Sequence, residues 1–207
     1  MKKFLIVSSL FLLLTACVDS TGLSAESSKP PKGNPNAAVT LTEYSDFECP
    51  ACRAAHVLIL KPLQQKYADT VQFAFRQFPL LTIHQLALPL AEASECAADQ
   101  GKFWEFVDMA FERQLEMDQE ERKVAPADIT TWAQDLNLDL ALFKRCTDSR
   151  IKKNAVMAEF EQGRQLEVQG TPTFFVNGVK VPLETLDLAV VEKAITDALA
   201  REEGRRL

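Results

Sequence analysis

Tyr44-Ser45-Asp46-Phe47-Glu48-Cys49-Pro50-Ala51-Cys52 is the stretch on which the reading of this 207-residue chain turns, because it joins a strand pattern to a helix pattern and ends in two cysteines two residues apart. Upstream, Val39, Leu41 and Glu43 alternate with Thr40, Thr42 and Tyr44 at the strand period of two, which puts the Glu43 carboxylate on the apolar face. Downstream, Val57, Leu58, Leu60, Leu63 and Tyr67 recur at spacings that predict a helix beginning close to Cys49, with Pro50 in its first turn. A cysteine at that place meets unsatisfied backbone N–H groups and the positive end of the helix dipole, both of which stabilise a thiolate. Cys49 is therefore the expected nucleophile. Cys52, one turn later on the same side, is the expected resolving thiol.

Further along, Val71 to Phe78 reads as a second strand, with Val71, Phe73 and Phe75 on one face and Pro79 ending the pattern. From about Ile83 to Leu166 the signals are helical: Leu86 to Ala98, Phe103 to Leu115, a segment entered through Pro126, a short helix capped by Asp139, and a helix from about Ser149 to Leu166. The acidic stretch Glu116 to Glu121 reads as a solvated loop. Beta character returns at Thr173 to Val176 and Val179 to Val181 around Asn177-Gly178, a strong hairpin signal, before a terminal helix from about Leu186 to Ala200. These elements predict one α/β domain in two pieces, residues 37–80 and 167–201, interrupted by an all-helical insertion at 81–166 and followed by a tail at 202–207.

The N-terminus reads differently. Lys2 and Lys3 precede an apolar run from Phe4 to Leu14 that is too short to span a bilayer, the pattern of a signal peptide over residues 1–16. Leu14-Thr15-Ala16-Cys17 resembles the lipobox of bacterial lipoproteins, which implies lipidation of Cys17 and attachment to a membrane, facing the periplasm or cell exterior. The alternatives are an ordinary secretory signal with a chance cysteine, or an uncleaved anchor. Residues 17–36, rich in Ser, Pro, Gly, Lys and Asn, read as a flexible tether. The formal net charge of −6 becomes more negative by two when Lys2 and Lys3 leave, so nucleic acid is excluded as a natural partner.

Of five cysteines, four remain after Cys17, in a compartment where disulfides persist. Cys49 and Cys52 are close in sequence, which leaves Cys96 and Cys146 as the natural second pair, although sequence alone permits three connectivities. A structural Cys96–Cys146 disulfide would contribute about 4 kcal/mol by the loop-closure argument. Two buried free thiols and a second redox couple remain the alternatives.

Three segments together resemble the DsbA-type thiol-disulfide oxidoreductases of the thioredoxin fold. They are Tyr44 to Cys52, Glu95-Cys96-Ala97-Ala98-Asp99-Gln100-Gly101-Lys102-Phe103-Trp104, and Gly170-Thr171-Pro172-Thr173-Phe174-Phe175-Val176-Asn177-Gly178. The resemblance covers roughly residues 37–200 and implies a thioredoxin-like fold with an inserted all-helical subdomain. It implies that Thr171-Pro172 is a cis peptide bond packed against the cysteines, whereas base rates alone, at about 5% cis for X–Pro, predict trans. It also implies that Pro50, Ala51, Thr171 and Pro172 meet the substrate, that the substrates are exported proteins bearing thiols or disulfides, and that a DsbB-like membrane partner recycles the couple. A monomer is expected. No cofactor is needed, since the two sulfurs carry the electrons.

Glu43 draws attention before any resemblance, since a carboxylate on a core face should hold its proton to high pH. The resemblance assigns it proton exchange with Cys52; the alternative is a solvated edge glutamate. The dipeptide lacks the His of the most oxidising family members, so Cys49 should be less acidic and its disulfide less oxidising than in a Cys-Pro-His-Cys enzyme. Reductase or isomerase work would use the same atoms. A different class of function, metal binding through Cys49, Cys52 and His56 on one helical face, is the remaining alternative, with no clear fourth ligand.

Overall fold

A computed structural model describes residues 23–117 and 126–206. Its five strands are β1 (Lys32–Gly33), β2 (Val39–Ser45), β3 (Val71–Gln77), β4 (Thr173–Val176) and β5 (Val179–Lys180), arranged β1-β3-β2-β4-β5. β2 and β3 run parallel and the other neighbours antiparallel. The parallel pair needs a crossover, which is a helical run made of α1 (Pro50–Ala55), a π turn (His56–Leu60) and α2 (Lys61–Lys66). The π turn precedes Pro62, which has no N–H to give Leu58 and whose ring would crowd that carbonyl. The extra residue shifts the helical period. Val57 and Leu58, expected on the apolar face, are instead 48% and 60% exposed, while Ile59, Leu60 and Leu63 turn inward.

One face of the sheet packs Val39, Leu41, Phe73, Phe174 and Val176 against that crossover and against α8 (Leu188–Arg206). Residues 202–206, expected as a tail, continue this helix. The opposite face presents Tyr44, Phe78 and Phe175 to Phe160 and Val168. Here α7 (Lys153–Gln165) approaches closely, because Gly163 has no Cβ: one built there would lie 2.7 Å from Phe78 and 3.0 Å from Tyr44. The hairpin between β4 and β5 turns through Asn177 and Gly178, both at positive φ (48° and 78°), the geometry that such a dipeptide favours.

Between β3 and β4 lie α3 (Ala87–Ala98), α4 (Phe103–Met117), α5 (Pro126–Asp135), α6 (Leu140–Ser149) and α7. Asp139 caps α6 by accepting from the Leu142 N–H at 2.9 Å. The helix expected from Ser149 begins only at Lys153, because Arg150 adopts a left-handed conformation (φ 54°) that ends α6 first. Cys96 on α3 and Cys146 on α6 are joined by a disulfide of S–S 2.04 Å, and both are about 1% exposed.

The expectation of a flexible tether fails for its described part. Leu23 enters the helical core, and Lys32–Gly33 adds an edge strand on β3, where a Cβ on Gly33 would lie 2.4 Å from the Val71 carbonyl oxygen. Lys29, its side chain only 8% exposed, bridges Glu95 at 2.7 Å and Glu159 at 2.5 Å. Trp104 donates to the Pro30 carbonyl, and Lys152 donates to Asp99 and to the Glu26 carbonyl. Composition anticipated too little apolar burial to fold. The order comes instead from buried charge pairs with partners far away in sequence. Residues 1–16 and Cys17 lie outside the described residues, as does most of the acidic stretch.

Candidate active site

Cys49 occupies the N-cap of α1 with an extended backbone (φ −74°, ψ 116°), and its carbonyl accepts from the N–H groups of Cys52 at 3.0 Å and Arg53 at 3.2 Å. No side chain caps this helix start, so the amides there are left to act on the sulfur. Both thiols are free. Cys49 is 7% exposed and Cys52 not at all, so attack from outside can reach only the first sulfur. Across the gap, the Thr171–Pro172 bond is cis, and the Cys49 thiol donates to the Thr171 carbonyl at 3.3 Å. Pro50 is exposed and Ala51 half-buried beside it, and Thr171 and Pro172 are likewise half-buried.

The electrostatics separate the two thiols. A hydrogen bond from Cys52, then the Thr171 side chain and the backbone N–H groups of Cys52 and Ala51, outweigh partial burial and bring Cys49 down from 9.0 to about 5. Thr171 Oγ1 makes no hydrogen bond of ordinary geometry, so its contribution is that of a nearby dipole. Burial drives Cys52 well above its ordinary value, reinforced by its hydrogen bond to Cys49 and by the charges of Glu43 and Cys49. Beneath them Glu43 is 1% exposed, between Phe75 of β3 and Phe174 of β4 in register. Burial raises its pKa to about 8, against a hydrogen bond from Ser45 at 3.0 Å that lowers it. Near neutral pH the site thus holds an ionised outer sulfur, a protonated inner thiol and a protonated acid.

The rim is set by groups that sequence reasoning missed. Asp46 accepts from the Glu48 N–H at 2.7 Å, from the Leu80 N–H at 2.7 Å and from His84 Nδ1 at 2.8 Å, while Glu48 accepts from the Leu86 N–H. These bonds hold the 79–86 loop, with exposed Leu81 and Ile83, next to Cys49. Gln114 of α4, 2% exposed, donates to the carbonyls of Phe47 at 2.7 Å and Cys49 at 3.0 Å. An Asp two residues before a turn amide is a signal that sequence carries; a glutamine arriving from 65 residues away is not.

His56 turns away from the sulfurs. Its Nε2 meets Asp108 at 2.7 Å, and its ring lies 4.9 Å from Phe111, tying α1 to α4. Burial works against it, but the His56 hydrogen bond and the charges of His56, Lys61 and Lys32 hold Asp108 down at about 2. Cys49, Cys52 and His56 do not converge as a metal site: among the described residues no three His, Cys, Asp or Glu side chains are placed to hold an ion.

The site thus sets an acidified thiol at a helix start, over a second, enclosed thiol and a buried acid and facing a cis-proline loop, on one end of a five-stranded mixed sheet. The thioredoxin family model matches residues 27–197. "Probable disulfide bond formation protein D" of Bacillus anthracis is 31% identical over 180 residues, covering 86% of this chain and 81% of that protein. The Na(+)/H(+) antiporter NhaA 3 of Salinispora tropica is 36% identical over 179 residues, but this chain spans only about a quarter (26%) of that protein's length. Among solved structures, oxidised BdbD from Bacillus subtilis aligns with a TM-score of 0.73 at 24% identity over 84% of this chain and 94% of that one. Wolbachia pipientis alpha-DsbA1 aligns with a TM-score of 0.67 at 22% identity over 83% and 92%. The chain belongs to the thioredoxin family.

Proposed function

We propose that the chain is an exported thiol-disulfide oxidoreductase that forms or exchanges disulfides in other exported proteins through the Cys49/Cys52 couple. The observation that carries this reading is the opposite treatment of two cysteines three residues apart: the accessible one is acidified to about 5 and the enclosed one is kept protonated. In the oxidising direction a substrate thiolate attacks Cys49 Sγ of the disulfide, and the Cys49–Cys52 bond breaks. Cys52 leaves and takes a proton drawn from Glu43, and a second substrate thiolate then attacks the substrate sulfur, releasing Cys49 as thiolate. The substrate emerges with the disulfide and the protein as the dithiol, so a membrane oxidant of the DsbB kind would restore the couple.

Thr171 supports the binding half of the proposal. Its carbonyl lies 3.3 Å from Cys49 on an accessible loop, where an extended peptide could pair beside the reacting sulfur, with Pro50, Ala51 and Pro172 as the surrounding contact surface. Cys17 is proposed as the lipid attachment point, and its change to Ser should abolish incorporation of labelled fatty acid. No helix among the described residues is long and apolar enough to cross a membrane.

The function is tested by Cys49→Ser. Oxidation of a dithiol peptide and reduction of insulin should both fall to background, and full turnover in the variant would remove the proposal. Because the dipeptide lacks a histidine, the couple's potential should lie below the roughly −120 mV of the strongest oxidants in this family.

A further inference from the structure

Cys52 takes up or gives up a proton in every turnover, yet it is completely enclosed, and water cannot serve it directly. The proton must come from a neighbour. Glu43 is the acid at hand, but its carboxyl group makes only one hydrogen bond among the described residues, from Ser45 Oγ to Oε1 at 3.0 Å; Oε2 is buried without a partner. Ser45 stands two residues further along β2, on the same face as Glu43, and its hydroxyl acts on the Cys52 side chain, where it lowers that thiol's pKa against burial. It is 0% exposed. The carboxyl–hydroxyl pair and the thiol on which that hydroxyl acts are all enclosed.

Among the described residues no other hydrogen bond engages the Glu43 carboxyl. Glu43 is paired in register with Phe75 and Phe174, both apolar, and Ser45 with Gln77, whose amide is turned to Ser94 Oγ at 2.8 Å. Of titratable groups facing Glu43 and Cys52 from the packed elements, Cys49 of α1 is the one that bears on both.

We propose that Ser45 is the proton relay of this site, passing a proton between Glu43 and Cys52 through its hydroxyl. When Cys52 leaves the disulfide, its sulfur takes the Ser45 Oγ proton as Ser45 takes the Glu43 proton. When Cys52 attacks a mixed disulfide at Cys49, the transfers reverse: Cys52 gives its proton to Ser45 Oγ, Ser45 gives its own to the Glu43 carboxylate, the Cys49–Cys52 bond forms, and the bound thiol departs as thiolate. Electrons move only between sulfurs, and the serine ends each cycle unchanged. A hydroxyl suits the role because it can donate and accept at once.

This inference rests on the reading of Cys49/Cys52 as the exchanging couple, and one experiment separates the two. Cys49 is labelled with Ellman's reagent at acid pH, and release of thionitrobenzoate by Cys52 attack is followed by stopped flow from pH 5 to 10. In the unaltered protein the rate should rise as Glu43 ionises near pH 8. Ser45→Ala should slow release at pH 7 by at least tenfold, within the range general acid–base assistance usually supplies, and move the profile to higher pH. Ser45→Thr, which keeps the hydroxyl, should recover most of the rate, and a solvent deuterium effect present in the unaltered protein should shrink in Ser45→Ala. Normal labelling of Cys49 in each variant serves as the folding control. If Glu43→Gln slows release while Ser45→Ala leaves rate and profile untouched, the relay is wrong and the exchange reading stands. A uniform slowing in Ser45→Ala, with no shift in profile and no rescue by Thr, would reduce Ser45 to packing and overturn the relay. If unaltered protein releases nothing because Cys52 never attacks, both readings fall.

Discussion

The chain contains two cysteine pairs, and their surroundings give them opposite behaviour. Cys96 and Cys146 join two helices of the insertion, both about 1% exposed in an apolar cluster with Phe103, Phe143 and Ala97 around them, and they are bonded. Cys49 and Cys52 belong to the same apolar cluster, yet the first has a carbonyl at 3.3 Å, a helix start with no side-chain cap and 7% exposure, and the second lies over a buried acid. Burial alone therefore does not make a disulfide structural or reactive. What separates the pairs is a stabilised thiolate, which the helix start supplies and two positions in the last turns of α3 and α6 do not.

The largest expected effect tests that separation. At pH 6 a thiol with a pKa of about 5 is mostly thiolate, whereas one near 9 is thiolate in roughly one molecule in a thousand. Alkylation of reduced protein should thus show Cys49 reacting hundreds of times faster than reduced Cys96 or Cys146 measured after unfolding. Equal rates would break the comparison. The sign for stability follows: a depressed pKa stabilises the reduced fold fully above the unfolded value near 9, and this contribution is lost as pH falls through about 5. Denaturant titrations of the reduced Glu43→Gln protein from pH 9 to 5, where the opposing Glu43 contribution is absent, should show that decline. Glu43 works the other way, because its raised pKa favours the fold below about 4.5 and that contribution is lost as pH rises through about 8, a loss that Glu43→Gln should remove.

Next in size is the support around the second pair. Lys29→Ala would leave Glu95, beside Cys96, without its buried cation and Glu159 with Arg76 alone, at a cost of about 3–5 kcal/mol in chemical denaturation. The Cys49 alkylation profile should not move. Smaller still, Cys96→Ala with Cys146→Ala should cost about 2–4 kcal/mol while thiol-exchange turnover stays within about twofold. A loss of turnover beyond the loss of folded protein would show that the second pair takes part in exchange. Gly163→Ala, far from both pairs, should cost about 1–3 kcal/mol by pushing α7 off Phe78 and Tyr44.

Much of the centre is local and therefore legible in residues 43–52. Period-two alternation puts Glu43 inside, the Cys-x-x-Cys spacing brings the sulfurs onto one side of a helix, and Pro50 marks its first turn. The helical insertion and the Asn177-Gly178 hairpin are visible for the same reason: their signals lie within a few residues of the structure they specify. Two local inferences went astray where a longer-range term won, at Val57 and Leu58, displaced by the π turn, and at residues 23–36, ordered by Lys29.

By itself the sequence determined a strand–helix–strand unit with a reactive cysteine at the helix start, because backbone periodicity and end effects act over one or two turns. Only the tertiary structure decided how deep Cys52 and Glu43 lie, that Ser45 bonds the Glu43 carboxyl, that Gln114 and the Thr171 carbonyl close around Cys49, and that residues 23–36 are fastened down. Desolvation and hydrogen bonding set those outcomes, and both depend on which distant segments exclude water from a group, a quantity that no local pattern encodes.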